Sequence, residues 1–130
     1  MLYKPITADL NELVTAIIGL AIKVHNTLGP GLLESAYKEC LYYEIIEAGY
    51  LADKEKALPL LYKNIKLEIG YRIDIIIENK LILEIKSVDT LAEVHSAQVL
   101  TYLKLSGNRL GLLINFNVKL LKDGIKRLAL

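Results

Sequence analysis

Cysteine, tryptophan and proline are scarce in this chain. Its 130 residues include one cysteine, three prolines, one phenylalanine and no tryptophan. A lone Cys40 cannot close an internal disulfide, which suits a reducing cytoplasm, and it reads as a small helix residue. Neither charge dominates: 16 Lys+Arg stand against 15 Asp+Glu, a formal net charge of +1, which excludes the strongly basic signature of a general nucleic-acid binder. Long apolar runs are missing as well. The greasiest stretch, Leu13 to Ile22, lies between Glu12 and Lys23 and is far short of the roughly 20 residues of a membrane span. Lys4, Pro5 and Asp9 stand where a secretory signal would pass from a basic into an apolar segment, so neither a leader nor a membrane partner is expected.

What is present is aliphatic. At 53% hydrophobic and 24% charged, the chain can enclose a real core and is unlike a disordered one. No repeat, low-complexity tract or Ser/Gly linker divides it, which predicts one domain over residues 1–130. The charge is unevenly spread. Residues 1–61 carry 5 basic and 8 acidic side chains and residues 62–130 carry 11 and 7, a mild bias that would suit a phosphate-bearing partner.

Hydrophobic periodicity supplies the elements. Leu10, Leu13, Val14, Ile17, Ile18, Ala21, Ile22 and Val24 follow the 3.6 period, with Asp9 and Glu12 at the start. Gly29-Pro30-Gly31 stops this helix, and a second runs from about Leu32 to Ala48, with Leu33, Ala36, Tyr37, Cys40, Leu41 and Ile45 facing the core. Strands are expected at Ala57 to Tyr62, Lys66 to Ile77 and Leu81 to Val88, with Glu78-Asn79-Lys80 as a tight turn. A third helix over Ala92 to Leu105 precedes strands at Gly111 to Phe116 and Lys126 to Leu130. The order ααβββαββ describes an α/β (α+β) fold, a mixed sheet with helices packed on it.

One strand holds a residue that strands disfavour. Asp74 lies within the apolar run Arg72-Ile73-Asp74-Ile75-Ile76-Ile77, while Glu84 and Lys86 stand two apart on the next strand and share a face. With a three-residue loop at 78–80, Asp74 falls opposite Glu84, and two carboxylates about 5 Å apart repel each other. A two-residue loop would split them across faces unless a bulge intervened. Adjacent carboxylates stay ionised readily only around a cation, and oxygen ligands without a Cys or His cluster favour Mg²⁺ or Mn²⁺ over zinc. Such an ion activates water and polarises a phosphoryl oxygen, with Lys86 placed to orient that water or to stabilise negative charge. The plain alternative is a half-solvated hairpin on which Arg72 and Lys86 neutralise Asp74 and Glu84. Spacing leaves both open.

Asp74 followed after nine positions by Glu84-Ile85-Lys86 resembles the hallmark of the PD-(D/E)XK nuclease superfamily, with Ile73 in place of the usual proline. Gly31-Leu32-Leu33-Glu34-Ser35-Ala36-Tyr37 resembles the name-giving motif of the GxxExxY proteins, a small family within it. The likeness extends through His25 to Gly31 and Gly111 to Phe116, and so covers nearly the whole chain. It implies a restriction-endonuclease-like core, a mixed central sheet flanked by helices. It further implies Asp74 and Glu84 as metal ligands with the Ile85 carbonyl, Lys86 as the catalytic lysine, Glu34 near the metal, and Gln98 and Tyr102 as supporting residues on one face of the third helix.

Each residue also has an ordinary role available. Glu34 suits the first turn of any helix, and Tyr37, Gln98 and Tyr102 could be packing or hydrogen-bonding residues. His25 would buttress the Gly-Pro-Gly turn, and His95 would contact a phosphate or lie solvated. Taken together, these residues predict a Mg²⁺- or Mn²⁺-dependent nuclease of DNA or RNA. The rival is a catalytically inactive module of the same fold that binds nucleic acid or a protein. A homo-oligomer built through an exposed sheet edge is a third possibility.

Overall fold

The computed structural model describes residues 8–130, so Lys4 and Pro5 lie outside the described residues. Helix α1 (Ala8–Leu28) buries Leu10, Leu13, Val14, Ile17, Ala21 and Val24, a stripe at the expected spacing, while Ile22 is left exposed at its margin. The chain turns at Gly29 and Gly31, whose φ angles of 70° and 97° are open to glycine at little cost. Helix α2 (Glu34–Glu47) then packs through Tyr37, Leu41 and Ile45, residues four apart on one face. Its buried stripe is narrower than the sequence suggests. Leu33 precedes the helix and Cys40 lies off the 37–41–45 line, and both are exposed.

Five strands form the main sheet in the order β1 (Ala52–Ala57), β4 (Arg72–Ile77), β5 (Leu81–Lys86), β6 (Leu110–Asn115) and β7 (Ile125–Ala129). Among the described strands only β5 and β6 run parallel, joined by the crossover helix α3 (Glu93–Ser106). The sheet is sandwiched. Ile75, Ile77, Leu81, Leu83, Ile85, Leu110, Leu112 and Ile114 face α1 and α2, whereas Ile76, Ile82 and Leu113 face Val99, Tyr102 and Leu103 of α3. Such a mixed sheet with helices on both faces is the architecture the sequence predicts. Gly111 permits the α3 layer to approach, since a Cβ there would lie 2.7 Å from Val99 Cγ1.

The strand boundaries between residues 52 and 71 differ from expectation. Ala52-Asp53-Lys54-Glu55-Lys56-Ala57 forms an edge strand although it lacks apolar alternation, because an edge facing water tolerates charge. The stretch predicted as one strand over Ala57 to Tyr62 is interrupted at Pro59, which has no N–H to donate. Beyond Pro59 the chain forms a separate small ribbon, β2 (Leu60–Tyr62) paired with β3 (Ile65–Leu67). The expected strand from Lys66 to Ile77 likewise divides before Arg72, next to Gly70 at a φ of 93°.

Candidate metal and phosphodiester site

The β4–β5 hairpin adopts the three-residue loop. Ile77 pairs with Leu81, Ile76 with Ile82 and Ile75 with Leu83, and Glu78 and Asn79 take left-handed backbone angles to close it. One step further, this register sets Asp74 against Glu84, but the strands have begun to part. Asp74 Oδ2 accepts the backbone N–H of Ile85 at 2.8 Å, so a carboxylate takes the place of a strand carbonyl. The pleat of β4 breaks at the same point. Ile75 and Ile77 enter the α1–α2 core, while Ile73 joins Ile76 in the α3 core. The expected face-to-face pair is thus a fork, with Asp74 filling the gap between diverging strands.

Glu84 lies beside it, 4% exposed. Burial, and then the neighbouring Asp74 carboxylate, push its pKa up to about 8 despite the nearby Lys86. Burial also raises Asp74, against the Ile85 N–H and Lys38, which favour its charge. Lys86 Nζ stands 3.4 Å from Glu84 Oε2, and Glu84 Oε1 is buried without a hydrogen-bond partner. A buried acceptor left unmatched is costly, and the Asp74 carboxyl lies within hydrogen-bonding reach of the Glu84 side chain. Such an oxygen is open to a proton or to a cation.

Sequence reasoning passed over two residues here. Lys38, one turn beyond Glu34 on α2, bonds Glu55 of β1 and approaches Asp74 Oδ1 to 3.9 Å. Burial works against its charge, but Glu55, Asp74 and Glu39 outweigh that and raise its pKa. Glu55 has a φ of 55° inside a strand, between the pairs Lys54–Ile75 and Lys56–Ile73. Such a backbone costs about 1–2 kcal/mol for a residue with a side chain, and strain of this kind gathers at functional sites. A lysine following Tyr37 and a charged, non-alternating strand carry no signal until α2 is laid over the sheet edge.

The remaining predicted residues surround this fork. Glu34 is exposed and lines, with Leu32, Leu33, Ser35, Lys38 and Ser87, an open hollow of about 500 Å³. It is on the rim and makes no ion pair with Lys86. Gln98 Nε2 donates to the Tyr102 hydroxyl at 3.1 Å, and the two lie against the site from the α3 side. Burial raises the Tyr102 pKa first, and the Glu84 and Asp74 charges add to it. A smaller hollow of about 240 Å³ between α1 and α2, lined by Val24, Leu28, Cys40 and Tyr43 among others, contains none of these groups.

The other motif residues build the frame. Tyr37 donates its hydroxyl to the Gly29 carbonyl at 2.6 Å, accepts the Leu32 N–H at 3.1 Å, and stacks on Phe116 at 4.6 Å between ring centres. The buried His25 ring meets the Val118 carbonyl at 2.7 Å and so braces the loop after β6 rather than the Gly-Pro-Gly turn, which His25 meets through its backbone carbonyl, the acceptor of the Gly29 N–H. His95 caps α3, its Nδ1 accepting the Ala92 N–H at 3.0 Å, so the ring is held at the helix start rather than freely solvated. Asn115 of β6 accepts the Val88 N–H and donates to the Val88 carbonyl, at 3.0 and 2.9 Å, and so clasps the chain leaving Lys86.

Among the described residues no three His, Cys, Asp or Glu side chains gather as a ready metal cage. The donor set is the two carboxylates of the fork with the backbone beside them, and the unmatched Glu84 oxygen makes that set compatible with a hard divalent cation. No described helix is long and apolar enough to cross a membrane. Comparison with known proteins finds no significant match among curated proteins or solved structures. The family model of the PD-(D/E)XK nuclease superfamily, by contrast, matches residues 11–128, spanning Glu34, the β4–β5 fork and the Asn115 clasp. Members of that superfamily generally depend on a divalent metal and act on nucleic acid. By the extent of that match, the chain belongs to the PD-(D/E)XK nuclease superfamily.

Proposed function

We propose that this protein is a metal-dependent nuclease of the GxxExxY type, hydrolysing phosphodiester bonds of DNA or RNA in a reducing, cytoplasmic setting. The observation that carries the reading is the unmatched Glu84 Oε1 beside Asp74, with Lys86 Nζ at the other Glu84 oxygen. Asp74 and Glu84, with the Ile85 carbonyl, are the groups that would hold Mg²⁺ or Mn²⁺. Bound there, the ion would polarise the scissile phosphate and acidify a water.

The chain's own groups do the rest. The Ile85 N–H holds Asp74 Oδ2 and thereby fixes the direction of the second oxygen. Lys86, half-sheltered and anchored at the sheet end, orients the attacking water and stabilises the extra negative charge on phosphorus. Glu34 on the hollow's rim supports the site through water, and Gln98 with Tyr102 borders the cleft on the α3 side.

Cleavage of labelled DNA and RNA, with Mg²⁺ or Mn²⁺, tests the reading. Asp74→Ala and Lys86→Ala are expected to lower the rate by about 100-fold or more. Equal activity in all three proteins would overturn it, and so would nucleic-acid binding by the wild type with neither cleavage nor metal binding. The latter outcome would identify a non-catalytic module of the same fold.

A further inference from the structure

Charges alternate across the sheet end. Glu55 of β1, Asp74 of β4 and Glu84 of β5 stand on three adjacent strands, with Lys38 reaching between the first two and Lys86 beyond the third. The two lysines are placed alike in one respect. Each approaches its carboxylate at one oxygen, Lys86 at Glu84 Oε2 and Lys38 at Asp74 Oδ1. They differ in tethering. Lys38 comes from α2, is bonded to Glu55, and stops 3.9 Å short of Asp74, beyond hydrogen-bond range.

We infer that Lys38 is the built-in counter-cation of the metal-binding carboxylates, and that Glu55 is the tether drawing it aside so that Asp74 remains open to a divalent ion. The inference rests on the metal reading of the site and adds a pair of positioning residues to it. Without metal, Lys38 offsets the negative charge that Glu55 and Asp74 bring together at the sheet end. An ion approaching Asp74 meets that ammonium as a like charge. Glu55, whose backbone is left-handed, limits the penalty by holding the ammonium. The groups facing Lys38 are Glu55 and Glu39, with Asp74 across the fork and Glu34 on the shared hollow.

The two partners should therefore act in opposite directions on metal affinity, which a merely structural pair would not do. Mn²⁺ binding is measured by titration calorimetry without nucleic acid, on wild type, Lys38→Met, Glu55→Gln and the double variant. Lys38→Met is expected to bind Mn²⁺ about tenfold more tightly, and Glu55→Gln about tenfold more weakly, as the released ammonium moves onto Asp74. The double variant should match Lys38→Met, because a tether has no effect once its load is gone.

Circular dichroism in chelator checks the fold of each protein. Lys38→Gln replaces Lys38→Met if the latter does not fold, and Lys38→Arg should restore near wild-type affinity. A double variant as weak as Glu55→Gln would make Glu55 a metal ligand and overturn the tether. Equal Mn²⁺ binding by all four proteins overturns this inference alone. Absence of Mn²⁺ binding in every protein overturns the metal reading and this inference together.

Discussion

Tyr37 illustrates how a motif residue can act on structure rather than on chemistry. Its hydroxyl satisfies both the Gly29 carbonyl and the Leu32 N–H while its ring is buried against Phe116. Tyr37→Phe keeps the packing and strands two backbone groups, so it should cost about 1–3 kcal/mol in urea denaturation. Glu84 yields a prediction of a different kind. It titrates near 4.5 when unfolded and at about 8 when folded, because burial and Asp74 oppose its charge. Between those values the folded protein holds a proton that the unfolded chain has released. Stability without metal is therefore full at low pH and declines as pH rises toward about 8, and the raised Asp74 pKa acts in the same sense. Thermal midpoints recorded in chelator should fall across that window in the wild type and flatten in Glu84→Gln. These two residues were unequally legible. The sequence marks Glu84 through its spacing from Asp74 and Lys86, whereas the partners of Tyr37 depend on a turn whose shape no periodicity encodes.

At the scale of elements, the site depends on where β5 ends and on what clasps it. Asn115 is 2% exposed and binds both backbone groups of Val88, continuing the β5–β6 pairing with a side chain after the strands separate. Asn115→Ala should cost about 1–3 kcal/mol and lower cleavage as well, since the segment after Lys86 loses its hold, and paired denaturation and activity assays measure both. Gly111 constrains the other layer. An added methyl meets Val99 at 2.7 Å, and Gly111→Ala is expected to destabilise by about 1–3 kcal/mol in the same denaturation assay. Strands with strong apolar character, β4 to β6, are readable from the sequence. The charged edge strand β1 is not, because hydrophobic alternation is the signal and an edge beside water has none to give.

For the molecule as a whole, the near-balance of charge limits how it can hold nucleic acid. Its 16 Lys+Arg are nearly matched by 15 Asp+Glu, which leaves little net positive charge for a long phosphate track. Binding of labelled nucleic acid, measured as salt is raised, should give a log–log slope shallower than about −4, the mark of a handful of phosphate contacts. A steeper slope would mean that a larger basic surface takes part.

The sequence by itself determined the layered α/β fold and three of the four catalytic candidates as a group. Helical and strand periodicities are local, and Asp74, Glu84 and Lys86 lie on one hairpin whose register follows from its loop. Tertiary structure alone decided the rest. It placed Glu34 on the rim, brought Gln98 and Tyr102 to the far side, and turned a like-charge pair into a fork held by the Ile85 N–H. It also set Lys38 and Glu55 beside that fork. Electrostatic partners drawn from separate elements depend on how helices lie across strands, and that relation exists only once the core has packed.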